Sequence, residues 1–184
     1  YEQQATKPSR QDVYKCGMSH YHQQHYADAI NHLKKVTTSN DSLCQNAYLH
    51  IGHAYVKQND KEHARMAYAE AAKTSFDPLV REEAAYNYAV ATYETADAFG
   101  QAVPALINFV NEYPQSEHNV RVLDYLSDAL INSTDPAKAY ETLNQLSRQT
   151  PSTESARLYL LYKIGVENFT KGVAAKAADN FTAA

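Results

Sequence analysis

The sequence of 184 residues has no tryptophan and only five glycines, six prolines and two cysteines. So few turn-forming residues disfavour a sheet protein, in which Gly and Pro punctuate many short strands. The valines, isoleucines and threonines show no clear alternation either. The two cysteines form neither a disulfide framework nor a CxxC motif, and they leave the redox compartment open. These scarcities favour an all-α protein.

Other absences bear on function. The longest apolar group is LYLLYKIGV, whereas a membrane-spanning helix needs about 20 apolar residues, so we expect no transmembrane span. The sequence has no basic block, which argues against a nucleic-acid partner. It also lacks the GxSxG, HExxH, P-loop and GxGxxG motifs, so we expect a non-enzymatic protein without a cofactor. The chain opens on Tyr1 and a polar run, and we expect it to be a mature or excised piece.

Charge is distributed unevenly over a net charge of −4. Residues 1–76 carry 9 Lys and Arg against 7 Asp and Glu, while residues 77–184 carry 8 against 14. Seven of the eight histidines also lie in the first part. Mild acidification would therefore widen the difference between the two parts.

A repeated pattern of alanines runs along the chain. Each alanine is followed four residues later by a large apolar residue, and successive alanines are 35, 38, 37 and 38 residues apart. Twelve residues before each alanine is a slot that mostly holds a small residue. The pairs are Ala29/Leu33, Ala64/Tyr68, Ala102/Leu106, Ala139/Leu143 and Ala177/Phe181, and the slot holds Gly17, Gly52, Val90, Ser127 and Gly165.

Each repeat has two halves with helical spacing, and a small residue in the slot would let the two helices of a hairpin approach closely. The pattern therefore predicts five helix hairpins, or ten helices. Helix starts are expected at Asp77-Pro78 and Asp135-Pro136, where a capping carboxylate precedes a proline. Further starts are expected at Asn59-Asp60, Ser116 and Ser152-Thr153, with Pro114 and Pro151 in the connections between hairpins.

The pattern resembles the tetratricopeptide repeat, in which Leu-Gly, Tyr, Ala, an aromatic residue and a closing Pro recur; the second repeat has Ile51-Gly52, Tyr55, Ala64 and Tyr68. The resemblance covers residues 10–184 as a single array, after a tail at 1–9, and implies a right-handed α-solenoid. The repeats would span about 10–44, 45–82, 83–119, 120–157 and 158–184. The spacing exceeds the standard 34 residues and looks like arrays of bacterial cell-envelope proteins, which implies a periplasmic or cell-envelope location.

The resemblance also implies a function, because the first helices of such hairpins line a concave groove that binds a protein or peptide. Lys57 and Arg121 alone cannot form the clamp that the family uses for C-terminal carboxylates, so we expect a neutral or basic partner. The expected groove residues are Tyr14, Met18, Tyr21, His22, Leu49, His53, Asn87, Glu94, Asp124, Asp128, Tyr159 and Tyr162, with Val166 and Phe169 in further slots of the fifth repeat.

Two alternatives stay open at this point. The repeats could be a structural module that packs within a larger polypeptide or a homodimer. Solenoids expose an apolar end unless it is capped, so either further repeats follow Ala184 or copies associate end to end. The second alternative is a ligand or metal sensor that uses His22 and His53.

The segment YKCGMSHYHQQHYADAI contains Cys16, His20, His22 and His25, which suggests a metal site at first sight. His20 and His22, however, are about 200° apart on a helix and cannot share one ion. His25 is expected in the turn after the first helix. Cys16 occupies the slot that holds Ile51 in the second repeat, so we expect it to be a core residue. The sequence therefore predicts no metal site here.

Overall fold

The computed structural model describes residues 8–95 and 98–184, and over these residues the protein is helical and has no strand. Within this part of the chain the prediction of an all-α protein with ten helices is confirmed. A short π-helical segment, Ala98–Ala102, leads directly into α6. The α-helices are α1 (Arg10–His22), α2 (Tyr26–Lys34), α3 (Ser42–Lys57), α4 (Lys61–Ala72), α5 (Pro78–Thr95), α6 (Val103–Glu112), α7 (Asn119–Ile131), α8 (Pro136–Asn144), α9 (Pro151–Thr170) and α10 (Ala174–Ala183).

Capping carboxylates set several of the helix starts that the sequence predicts. The Asp77 carboxylate accepts hydrogen bonds from the backbone N–H groups of the first turn of α5, and Asp135 does the same for α8. Asp60 caps α4 in this way, and Asp41, which was not among the predicted starts, caps α3. Each cap satisfies an otherwise unpaired N–H group and stabilises its helix by about 1 kcal/mol.

Two predicted starts are wrong. Helix α7 begins at Asn119 rather than at Ser116, because the Ser116 hydroxyl accepts a hydrogen bond from the His118 N–H in a preceding turn. Helix α9 begins at Pro151 with Thr150 as its cap, so Pro151 lies in the helix and not in a connection. The predicted repeat starts at residues 45, 83 and 158 lie inside α3, α5 and α9, because each of these helices begins several residues earlier.

The chain divides into two compact units. The first contains α1–α5; there, helices adjacent in the chain pack on one another, and α3 also contacts α1 and α5. The second contains the π-helical segment and α6–α10, with α9 packed on α7, α8 and α10. These are the contacts of stacked hairpins in which successive first helices touch. The third predicted repeat contributes α5 to one unit and α6 to the other, and a single array remains a prediction.

The alanine pattern forms the core within the units. All five alanines are buried, and so are Leu33, Tyr68, Leu106 and Leu143, whereas Phe181 is 41% exposed. A Cβ atom added to Gly17 would lie 2.9 Å from Cγ of Leu33, and one added to Gly52 would lie 2.5 Å from Cε1 of Tyr68. Glycine is therefore favoured in this slot of the first two hairpins, whereas Val90 and Ser127 occupy it in the repeats of the buried Leu106 and Leu143.

Three hairpin turns share one closure. Gln24, Asn59 and Gly172 hold the same position, five residues before the repeat alanine, and each has a positive φ of 64°, 59° or 76°. The next N–H group then donates to a carbonyl five residues earlier, namely His25 to His20, Asp60 to Tyr55 and Val173 to Asn168. This Schellman-type closure turns the chain back onto the first helix. None of the described helices is both long and apolar enough to cross a lipid bilayer.

Candidate binding surfaces

A cleft of about 390 Å³ opens on the first unit and brings together four of the predicted groove residues. Tyr21 comes from α1, His53 from α3, and Asn87 and Glu94 from α5. First helices of successive hairpins therefore form most of this wall, as the resemblance implies. The remaining lining residues are Val56, Lys57, Lys61, Tyr68, Val90 and Ala91.

The charges of this cleft are largely compensated. Lys61 Nζ lies 3.0 Å from the Glu94 carboxylate. Burial, together with the nearby His50 and Lys57, lowers the pKa of His53 from 6.5 to about 4, so this ring is neutral at pH 7. Burial also raises the pKa of the Tyr68 hydroxyl. The cleft thus presents aromatic and polar groups, with Lys57 and the Lys61–Glu94 pair as its charges, rather than an acidic surface.

Aromatic contacts extend from this cleft through neighbouring helices. The ring of His50 makes edge contacts with Tyr14, Tyr21 and His53, with ring centroids 6.3, 6.0 and 5.8 Å apart. His53 in turn meets Tyr68 at 5.5 Å. Such edge-to-face pairs stabilise packing beyond the area that they bury. Tyr14 therefore serves partly as packing rather than as an open groove residue.

Not every predicted groove residue lies at a surface. Leu49 is buried and packs with Tyr68 and with alanines of α4 and α5, so its assignment to the groove is wrong. The face of α3 that carries Leu49 is covered by α4 and α5. The pattern within one repeat does not show which faces the next helices cover. Met18 is half-buried against the core around Leu33. His22 is exposed beside Tyr21, with ring centroids 5.9 Å apart.

The second unit carries a different surface on α9. Its residues Ser152, Ser155, Tyr159, Tyr162, Val166 and Phe169 follow one another at intervals of three or four, which places them on one helix face. We call these six residues the α9 stripe. The last four, including both predicted tyrosines, are 47%, 54%, 39% and 69% exposed, respectively. A contiguous apolar row of this length is unusual on the exposed face of a helix and marks a candidate interaction surface.

An acidic cleft adjoins the serine end of the α9 stripe. This cleft, of about 410 Å³, is lined by Asp124, Ser127, Asp128 and Ile131 of α7 together with Pro151, Ser152 and Ser155 of α9. The Ser152 hydroxyl donates a hydrogen bond to the Asp124 carboxylate. Both predicted acidic groove residues of the fourth repeat therefore lie at the serine end of the α9 stripe, which also contains the predicted aromatic residues of the fifth.

The second hairpin, α3–α4, is similar to a known family. Residues 45–78 match the tetratricopeptide repeat family. The matched segment covers most of α3, all of α4 and the first residue of α5, and includes Gly52, Ala64 and Tyr68. No curated protein matches the chain. The match supports the family resemblance and a role in protein interaction, and it says nothing of source or compartment.

One grouping of side chains in the first hairpin, α1–α2, was not predicted from the sequence. Cys16, His20 and His32 offer donor atoms that all lie within 4.8 Å of one another. Cys16 is exposed, so its assignment to the core is wrong; the equivalent Ile51 is covered by α2, whereas no described helix precedes α1. The register could have revealed the grouping, because His32 follows Ala29 by one turn. In the described chain, no such group of three includes His22 or His53.

Proposed function

We propose that the chain is a non-catalytic scaffold that binds a protein or peptide through the α9 stripe and the adjoining acidic cleft. The proposed partner is a segment with apolar side chains at helical spacing and a basic residue at one end. The single observation that carries this proposal is the continuous exposed row from Tyr159 to Phe169. The tetratricopeptide match at residues 45–78 supports the general class of function.

The apolar part of the surface would supply most of the binding free energy. Tyr159 and Tyr162 combine a large ring with a polar tip and lose little side-chain entropy on binding, which is why tyrosine is frequent among interface hot spots. Phe169 extends the row by another turn of α9. A helix laid along this face would contact anchors at positions i, i+3 and i+7, as in helix-in-groove recognition.

The acidic cleft would determine the orientation and the charge preference of the partner. Asp124 and Asp128 lie at the serine end, so a Lys or Arg placed there would approach carboxylates, whereas an acidic residue would be repelled. The residues from 77 onward carry 14 acidic against 8 basic residues, which adds to the same preference. Interactions of this exposed kind weaken as the salt concentration rises.

Selection from a random peptide library displayed on phage tests the proposal. We expect enriched peptides to carry aromatic or aliphatic residues three or four positions apart together with Lys or Arg. The affinity of a consensus peptide, measured by fluorescence anisotropy, should fall by roughly 10-fold or more in Tyr162→Ser and in Phe169→Ser. Asp124→Asn, which retains an acceptor for Ser152, should weaken binding and reduce its salt dependence.

Two exposed positions outside this surface provide matched controls. Leu79→Ser removes an exposed apolar residue of α5, and Glu141→Gln removes an exposed charge of α8; neither should change the affinity. Enrichment of acidic peptides, or of none, would contradict the proposal. A dimer in sedimentation experiments that Tyr162→Ser converts to a monomer would instead favour the structural-module alternative, and peptide binding at this surface would be abandoned.

A further inference from the structure

We propose that the first hairpin, α1–α2, holds a transition-metal ion of the zinc class through Cys16, His20 and His32. This site is independent of the α9 stripe and lies in the other unit. Thiolate and imidazole donors suit zinc, cobalt and copper, whereas magnesium and calcium prefer oxygen ligands. The proposal follows from the geometry of three side chains that the hairpin brings together from two helices.

The positions of the donors meet the first requirement of a metal site. Cys16 and His20 are four residues apart on α1 and lie on one face, and His32 comes from the facing side of α2. The rings of His20 and His32 are stacked with centroids 5.0 Å apart. A tetrahedral zinc site with bonds of about 2.0–2.3 Å has donors about 3.3–3.8 Å apart. Donors within 4.8 Å of one another are close to that spacing, and rotation of the side chains would have to close the remaining distance.

The second requirement is a correctly oriented lone pair on each histidine. His32 Nδ1 lies 2.9 Å from the backbone carbonyl oxygen of Asp28. Because a carbonyl oxygen only accepts, Nδ1 carries the proton and Nε2 presents its lone pair, an arrangement that is common for metal-ligating histidines. His20 Nδ1 is buried and has no hydrogen-bond partner among the described residues. A ligand that engages the His20 ring would account for this unsatisfied nitrogen.

In the last hairpin, the two positions equivalent to His20 and His32 are also in contact, so this contact is a property of the repeat. His20 lies nine residues before Ala29, and His32 three residues after it; the equivalent residues of the fifth repeat are Asn168 and Asn180. Asn168 Nδ2 donates a hydrogen bond of 2.9 Å to Asn180 Oδ1. The contact between the slots therefore recurs with different side chains. In the first hairpin it joins two imidazoles beside a thiol.

The surroundings supply candidates for a fourth ligand. His20, His25 and Asp28 form a second group whose donor atoms lie within 4.8 Å of one another. His25 and Asp28 are both exposed. Either could complete a tetrahedral site, and a water molecule could occupy the fourth position in their place.

Titration of the reduced, tag-free chain with Co²⁺ tests the proposal directly. We expect one equivalent to give visible bands of tetrahedral cobalt and a near-ultraviolet thiolate-to-cobalt charge-transfer band, both abolished by one equivalent of Zn²⁺. Zinc at about 100 times its dissociation constant should raise the melting temperature by roughly 5–10 °C. Cys16→Ser should remove the charge-transfer band and weaken zinc binding at least 10-fold.

A double variant separates loss of the site from loss of the fold. His20→Asn with His32→Asn copies the Asn168–Asn180 pair of the last hairpin, so it should fold and yet bind no cobalt. Cys44→Ser and His22→Gln alter a thiol and an exposed imidazole outside the group, and both should bind as the parent chain does. Cobalt or zinc binding that survives in Cys16→Ser and in the double variant would overturn the proposal, as would absence of binding by the parent chain.

Discussion

The hairpins α1–α2 and α9–α10 have the same types of residue at the helix crossing and at the turn. They differ in how far the side chains at the crossing are buried. Each has a glycine at the helix crossing, Gly17 or Gly165, and each closes through a residue of positive φ. In the first hairpin the glycine faces the fully buried Leu33, whereas in the last it faces the half-exposed Phe181. The repeat thus fixes the backbone path, and the neighbouring hairpins decide how much each slot contributes to stability.

The polar slots differ in the same way. Two histidines beside a thiol occupy the first hairpin, and two asparagines that bond to each other occupy the last. The last hairpin instead presents the exposed apolar row of the α9 stripe. One hairpin geometry therefore carries a candidate metal site at one position and a candidate peptide surface at another.

Truncation of the two core residues should give the largest contrast. Leu33→Ala removes a fully buried side chain and should lower the free energy of unfolding by about 2–5 kcal/mol. Phe181→Ala should lower it by only about 1–2 kcal/mol, because the ring, which lies over Gly165 and against Tyr162, is already 41% exposed. Urea denaturation followed by circular dichroism measures both. Equal losses in the two variants would contradict this difference between the hairpins.

Acidification should weaken the first unit more than the second. The folded-state pKa of His53, about 4, lies below its ordinary 6.5, so the unfolded chain binds this proton more readily. This contribution to stability is complete above pH 6.5 and is lost as the pH falls towards 4, by roughly 1–3 kcal/mol, since Glu83 at 3.5 Å partly compensates the charged ring.

Hydrogen exchange by mass spectrometry can locate that loss. Protection should decrease between pH 6.5 and 4 in α3 and α4 and should change less in α9 and α10. His53→Gln removes the titrating group and should flatten the pH dependence of α3. A decrease that is unchanged in His53→Gln would show that other groups cause it.

Alanine at the two crossing glycines should give an intermediate contrast. Gly17→Ala places a Cβ 2.9 Å from Cγ of the fully buried Leu33, which has little room to move. Alanine favours a helix more than glycine does, and after this gain the variant should still lose about 1–2 kcal/mol of the free energy of unfolding. In Gly165→Ala the ring of Phe181 can swing outward, so the change should stay within about 0.5 kcal/mol. Thermal melts of both variants provide the measurement, and a larger loss in Gly165→Ala would reverse our reading of the core.

The turns should give the smallest contrast. Gln24→Gly relieves a left-handed conformation that costs a residue with a Cβ about 1 kcal/mol, so it should stabilise by up to that amount. Gly172→Ala introduces the same strain in the last hairpin and should destabilise by about 1 kcal/mol. Guanidinium titrations resolve differences of this size when the m-value is unchanged. Stabilisation by Gly172→Ala would contradict the shared turn closure.

Particular residues show how far the sequence alone could lead. The alanine pairs predicted the hairpins because a repeated core requires the same small and large residues at the same slots. Asp77 and Asp135 predicted helix starts because capping is local chemistry. The helix start predicted at Ser116 was wrong, because a serine side chain caps a turn as readily as a helix. The predicted repeat starts at 45, 83 and 158 lie inside helices, because a period fixes the spacing of repeats and not their first residue.

Site residues were predictable where they depended on one helix face and not where they depended on neighbours. Tyr159 and Tyr162 lie in an exposed row, and Tyr21, His53, Asn87 and Glu94 share a cleft, as their slots suggested. Leu49 was misplaced because the next hairpin covers it. Cys16 was misplaced for the opposite reason, because the equivalent Ile51 packs on α2 of the preceding hairpin and no described helix precedes α1.

The helices, their pairing into hairpins and the positions that form the core could be predicted from the sequence, because these depend on periodicity, capping and side-chain size within about 38 residues. The packing of the helices was needed to show which faces are covered, how far His53 is desolvated, and that His32 lies beside Cys16 and His20. Those properties depend on atoms contributed by other helices, and no pattern within one helix contains them.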